Sequence, residues 1–179
     1  GTSETPPTDG GGTWNAANTN WWDTAARTWA DNNNAVFGAG NGAAGEVIVE
    51  GTVKPGSIKF NAAGSGNYTL SQGTDGLIDL DGKVIPITAN VNAEIAATIA
   101  NGGLNKLGAG TLTLAGTNTY TGGTAINAGT LSIASDAALG GPAGALTLAG
   151  GTLKTTAGIT SARPMNVAAA GGTLDTNTF

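Results

Sequence analysis

The sequence predicts an all-β chain folded as a right-handed parallel β-helix, a β-solenoid opened by a tryptophan-rich cap, and three observations carry that expectation. One phrase recurs: Gly110-Thr111-Leu112-Thr113, Gly129-Thr130-Leu131-Ser132, Gly151-Thr152-Leu153-Lys154 and Gly172-Thr173-Leu174-Asp175, at steps of 19, 22 and 21 residues. A period near twenty marks stacked repeats rather than a globular core. Charged residues make up 11% of the chain, well under the roughly 25% of ordinary soluble domains. Glycine fills 31 positions and proline only 6, while 40% of residues are apolar. Many short strands with small residues at tight corners use such a composition, and a disordered chain does not.

Taken in order, residues 1–12 are polar and rich in Pro and Gly, a flexible lead-in. Residues 13–44 form the expected cap and hold all four tryptophans, Trp14, Trp21, Trp22 and Trp29, ending near Phe37. From residue 45 to 179 the chain reads as the solenoid, with short β-branched runs such as Glu46-Val47-Ile48-Val49 and Ser57-Ile58-Lys59-Phe60 separated by glycine. Val91 to Ile99 is Ala-rich, and Val91, Ile95 and Ile99 fall at helical spacing. Its shortness, its Asn92 and Thr98, and the Asn101-Gly102-Gly103 that ends it favour strand. Gly144-Ala145-Leu146-Thr147-Leu148 comes too soon after Gly129 to open a new turn, and reads as a second strand of the same coil.

The pairing follows from strand parity. Leucine points inward in each phrase, so Leu112, Leu131, Leu153 and Leu174 are expected to stack in one interior column. Thr111, Thr130, Thr152 and Thr173 then form an outward ladder, and the fourth position (Thr113, Ser132, Lys154, Asp175) faces solvent. A coil of about 20 residues cannot bury its own apolar face, but stacking pairs each strand with those above and below at roughly 4.8 Å. Six to eight such coils give on the order of 30–40 Å of axis.

Composition also excludes functions. The net charge is −5, and the seven cations, from Arg27 to Arg163, are scattered singly. No basic patch is available for phosphates, so a nucleic-acid partner is not expected. Cysteine and histidine are both absent, which removes disulfides, thiolate nucleophiles, Ser-His dyads and histidine metal sites. No apolar run is long enough to span a bilayer as a helix. No cofactor and no metal are expected. Asp75, Asp79 and Asp81 before Gly82 have neither the EF-hand spacing nor the Gly-Gly-x-Gly-x-Asp calcium pattern, and read as solvated outward carboxylates.

One segment carries a family signature. Gly103-Leu104-Asn105-Lys106-Leu107-Gly108-Ala109-Gly110-Thr111-Leu112-Thr113-Leu114-Ala115-Gly116 fits G-L-x-K-x-G-x-G-T-L-x-L-x-G, and Asn118 through Leu131 fits N-x-Y-x-G-x-T-x-x-x-x-G-x-L. Residues 103–131 thus resemble the autotransporter-associated β-strand repeat, also called the passenger-associated transport repeat. One full copy is present, and the later Gly-Thr-Leu phrases are degenerate coils. The opening from Gly12-Thr13-Trp14 to Ala35-Val36-Phe37 looks like the leader that precedes such repeats. The resemblance implies a right-handed parallel β-helix that is secreted or displayed on the surface of a Gram-negative-type bacterium. It also implies a role for the motif in passenger transport. These 179 residues hold no membrane barrel of the kind that ends full-length members, and they stop at Thr176-Asn177-Thr178-Phe179 in mid-coil. A longer natural protein, or a second subunit over the open end, is the expectation.

The four tryptophans have two readings, a cap over the first coil or a carbohydrate-stacking platform. Three functional classes follow: a structural stalk or filament subunit, an adhesin module using a solenoid face, and an enzyme. The dispersed carboxylates and missing histidine speak against catalysis. Adhesion calls for a long loop or an aromatic patch away from the ends, and outside the tryptophan region the chain offers only Tyr68 and Tyr120, plus Phe60 and Phe179. Expected partners are a second copy stacked end to end and a surface or glycan ligand.

Overall fold

The computed structural model describes residues 10–18, 21–22, 26–38, 40 and 42–178. Its strands stack in parallel as a β-solenoid with two long sides and one short one. The first side has eight strands: Gly12–Trp14, Glu46–Val49, Tyr68–Gln72, Ala93–Ile95, Thr111–Leu114, Thr130–Ile133, Thr152–Thr155 and Thr173–Asp175. Seven line the second: Asn34–Phe37, Ser57–Phe60, Val84–Ala89, Gly103–Leu107, Thr124–Ile126, Leu146–Leu148 and Met165–Val167. The third side is Thr52–Val53, Leu77–Asp79 and Thr98–Ala100. A single antiparallel pair among the described residues, Trp21–Trp22 with Ala26–Arg27, lies in the N-terminal segment.

Alternation builds the core. Glu46–Val49 buries Val47 and Val49 and exposes the residues between, and Thr111–Leu114 buries Leu112 and Leu114. Register then lines the inward residues up from coil to coil: Leu112 pairs with Leu131, Leu131 with Leu153, and Leu153 with Leu174. Leu112 and Leu131 are fully buried and Leu153 nearly so, whereas Leu174, expected inside, is 47% exposed. It keeps the register but sits on the outermost rung described, where no further described strand pairs with it. The threonines of the phrase pair in the same way, Thr111 to Thr130 to Thr152 to Thr173.

The phrase begins with glycine for a steric reason. A Cβ on Gly110 would run into the Val91 backbone of the preceding coil, and Gly129 holds φ +61°. Both are corners where the chain turns against the backbone beneath it.

As expected, Val91 to Ile99 is strand, in two pieces on adjacent sides, and Leu146–Leu148 is the second strand of its coil. Other expectations shift. Ser132, placed at the solvent, is only 7% exposed, flanked in its outward column by Thr113 and Lys154. The ladders also begin before residue 45. Gly12–Trp14 pairs with Glu46–Val49, and Asn34–Phe37 with Ser57–Phe60, so residues 13–44 contain the first coil. Residues 1–9 of the expected lead-in, and Phe179, lie outside the described residues.

The third side changes character midway. After Thr98–Ala100 its strands stop. The next coil passes there as an irregular segment, Thr119 N donating to Ile99 O at 2.9 Å, and the one after as a 3-10 turn, Asp136–Leu139.

Leu131→Ala removes a side chain with coils on both sides and is expected to cost about 2–5 kcal/mol. Leu174→Ala should cost about 1 kcal/mol or less, since its side chain is half exposed. Urea unfolding followed by circular dichroism checks the pair. Equal losses would contradict the burial gradient along the column.

Candidate functional site

The aromatic residues converge inside the first coils. Trp14 meets Trp29 edge-on at 5.0 Å between ring centroids and Phe37 at 5.6 Å. Phe37 stacks on Phe60 at 5.3 Å and tilts toward Tyr68 at 5.6 Å. Trp14 is fully buried and Trp29 is 6% exposed. Alternating inward positions put Trp14, Phe37, Phe60 and Tyr68 there, and edge-on and offset ring contacts add to the area they bury. Neither Trp14 nor Trp29 presents a ring face for a sugar. The side chains of Trp21 and Trp22 lie outside the described residues, although their backbones form the hairpin. Of the aromatics away from the tryptophans, Phe60, Tyr68 and Tyr120 are all buried.

The coil that carries the repeat signature has a second, polar constellation. Lys106 pairs in register with Ile87 and Ile126, so it stands in an interior column of apolar side chains. It is fully buried. Its ammonium donates to the carbonyls of Leu107 and Gly108, each at 2.9 Å, and of Ala128 at 3.0 Å, the last in the following coil. Burial pushes its pKa down to about 8, while three carbonyl dipoles around the ammonium work the other way. Thr124, buried in the column of Leu104 and Leu146, shares a 2.7 Å hydrogen bond with Tyr120 Oη. Burial raises the Tyr120 phenol pKa well above its usual value. Asn118 Oδ1 accepts from the Ile99 amide at 2.8 Å, and its Nδ2 donates to Ala138 O at 2.7 Å. Four of the motif's five polar side chains thus point inward or into a corner and bond the solenoid itself, and the fifth, Thr111, lies on the outward ladder.

Two further clusters are also structural. Arg163, 7% exposed, forks onto Asp136 through Nε (2.8 Å) and Nη2 (2.9 Å). Its Nη1 also reaches the carbonyls of Leu139 and Gly144 at 3.0 and 2.9 Å, at the end of the 3-10 turn. The guanidinium holds the Asp136 carboxyl below its ordinary pKa. On the outside, Asp81 accepts from Lys54 at 3.2 Å and Lys83 at 2.8 Å, and Lys83 also reaches Asn32 at 2.6 Å. Asp79 lies 4.0 Å from the Lys54 ammonium and accepts from Asn101 Nδ2 at 3.0 Å, so Asp79 and Asp81, read from sequence as solvated carboxylates, belong to a surface polar ladder linking successive coils. Among the described residues no three His, Cys, Asp or Glu side chains converge as a metal site, and no helix is long and apolar enough to cross a membrane. The last coil leaves a cleft of about 370 Å³ lined by Leu146, Leu153, Ile159, Met165 and Leu174, with Asp136 and Arg163 at one wall.

Sequence reasoning counted Lys106 among scattered cations. The signal was available: Leu104 must point inward, so two residues on, Lys106 must too. Arg163 had no comparable sign, because its partner is 27 residues away on an irregular turn.

Lys106 sets a pH dependence with a definite sign. Its folded pKa lies below the ordinary 10.5, so between about pH 8 and 10 the unfolded chain binds a proton that the folded chain has released. Stability therefore rises with pH in that window, by at most about 1.4 kcal/mol per unit. Further up, the buried Tyr120 phenol opposes the trend, since only the unfolded state ionises it easily. Urea midpoints from pH 7 to 10 should climb for the natural chain and stay flat for Lys106→Met.

Comparison with known proteins agrees with this geometry. Residues 104–133 match the Passenger-associated-transport-repeat family. Across nearly its whole length the chain is similar to the adhesin BmaC autotransporter of Brucella suis biovar 1 (strain 1330), at 35% identity over 189 aligned residues. The alignment takes in 94% of this chain but only 5% of that protein. No solved structure matches significantly. The chain is thus an autotransporter passenger-type β-solenoid built around a passenger-associated transport repeat, secreted or held at the surface of a Gram-negative bacterium.

Proposed function

We propose that this segment is a rigid, non-catalytic spacer of a surface passenger, a length of stalk rather than a recognition site. The observation that carries it is the orientation of the motif. Lys106, Asn118, Tyr120 and Thr124 are all turned into the solenoid, where their polar atoms bond backbone or one another. The outer face of the first side is left with small hydroxyl residues in register, such as Thr111, Thr130 and Thr152, and a few charges, Glu94 and the Lys154–Asp175 ion pair among them. Such a face stays soluble and offers little to grip. A stack in which every coil is hydrogen-bonded to its neighbours resists bending because bending would open the ladder on one side.

The adhesin module is the second reading, favoured by the relative's name and by an alignment that covers almost all of this chain. End-to-end association with another coil would use the last rung, where Met165, Val167 and Leu174 are 49%, 64% and 47% exposed.

Binding assays separate the two readings. The purified chain, passed over immobilised glycans and host-cell monolayers, is expected to show no saturable binding. Saturable binding that is lost in the outward-face variant Glu94→Lys/Lys154→Glu would replace the stalk with the adhesin. Sedimentation velocity over a concentration series reports whether the exposed last rung drives self-association.

A further inference from the structure

We propose that Asn118 is a joint that carries the hydrogen-bond ladder across a change of architecture, coupling the N-terminal and C-terminal parts of the solenoid into one cooperative unit. Up to residue 100 the three coils that follow the first have a third, strand-forming side, and the ladder there runs backbone to backbone through Thr52–Val53, Leu77–Asp79 and Thr98–Ala100. Beyond residue 100 that side holds no strand among the described residues, and a 3-10 turn over Asp136–Leu139 occupies it two coils later. A strand and a 3-10 turn cannot ladder onto each other directly, because the turn folds its own donors back within three residues. Something must accept from the last strand and donate to the turn.

The Asn118 carboxamide does both. A primary amide offers the same donor and acceptor as a peptide group, and here the acceptor meets Ile99 N–H below while the donor meets Ala138 O above. The residue is 5% exposed, so neither partner has water as a ready alternative. Backbone bonds flank it on each side: Thr119 N donates to Ile99 O at 2.9 Å, and Asn118 N to Ala137 O at 3.0 Å. Lys106 reinforces the joint by reaching Ala128 O in the next coil, and Arg163 fastens the 3-10 turn from the far side. In a solenoid, stability is a sum of coil terms and neighbour-to-neighbour terms, so one weak interface splits the array into two independently melting parts. The junction at residues 100–118 is where the third ladder ends, and the side-chain amide there substitutes for the missing rung. This inference holds whether or not the outer face binds a ligand.

The chain supplies its own probes. All four tryptophans lie within residues 14–29, so their fluorescence follows the N-terminal part, while hydrogen exchange of peptides from 130–155 follows the C-terminal part. In urea the two probes should give one coincident transition for the natural chain. In Asn118→Leu, which keeps the volume and removes both bonds, they should separate by about 1 M urea. Thr113→Ala, outward on the same coil, should leave them coincident. Should Asn118→Leu fail to fold, exchange on the natural chain decides the matter: amides in 46–60 and 146–155 must open with the same free energy. Coincident transitions in Asn118→Leu, or separate opening energies in the natural chain, would overturn the coupling.

Discussion

Everything in this molecule depends on the parallel ladder between coils. A single coil of about 20 residues has no interior of its own, and its apolar side chains become buried only when another coil lies against it at the spacing of a β-sheet. Register is then forced, because a slip by one residue would turn Leu112, Leu131 and Leu153 outward together. The glycine that opens each Gly-Thr-Leu phrase serves the same constraint. At Gly110 any Cβ would press on the Val91 backbone and hold the coils apart. With no cysteine to staple the chain, the ladder and the column are what remain to stabilise a protein outside the cell.

Such a stack has trouble at corners, where backbone groups face the interior without a strand to pair with. The solution here is to let side chains act as backbone. Lys106 gathers three corner carbonyls, Asn118 replaces a peptide group, and Arg163 collects the carbonyls that the 3-10 turn leaves open. Charge is tolerated inside for the same reason in each case. The cation is surrounded by carbonyl dipoles, and for Arg163 by the Asp136 carboxylate as well; around Lys106 the dipoles offset the desolvation only in part, as its lowered pKa shows. The buried polar side chains of the repeat signature thus serve as corner fittings of the solenoid.

Most of the architecture was legible in the sequence, and the reason is periodicity. The Gly-Thr-Leu phrase specifies strand, face and register at once, so the leucine column and the threonine ladder could be written down before any coordinates. Leu146–Leu148 and the Ala-rich stretch after Val91 followed from the same logic. What escaped were features set by neighbours far along the chain. Ser132 is covered although its parity is outward, and Leu174 is uncovered although its parity is inward, because exposure depends on the coils above and below. The strands within the tryptophan-rich cap, residues 13–44, were not marked in the sequence. They are short and interrupted by a hairpin, and only pairing with Glu46–Val49 and Ser57–Phe60 reveals them. The candidate aromatics divided likewise. Inward parity explains Trp14, and no local pattern marked Trp29 as buried.

The two ends of the described stack differ in the side chains that fill them. At the N-terminal end of the described stack the core is aromatic, Trp14 touching Trp29 and Phe37, and Phe37 touching Phe60. At the other end the column simply continues to the last described rung, leaving Met165, Val167 and Leu174 half uncovered and in register. Phe37 pairs in register with Phe60, so these rings follow the same coil-to-coil ladder as the leucines. A leucine in register likewise presents the template that the previous coil presented to it. Both stretches are thus built by one rule, inward parity repeated at the coil spacing, with aromatic side chains toward one end of the described stack and aliphatic ones toward the other.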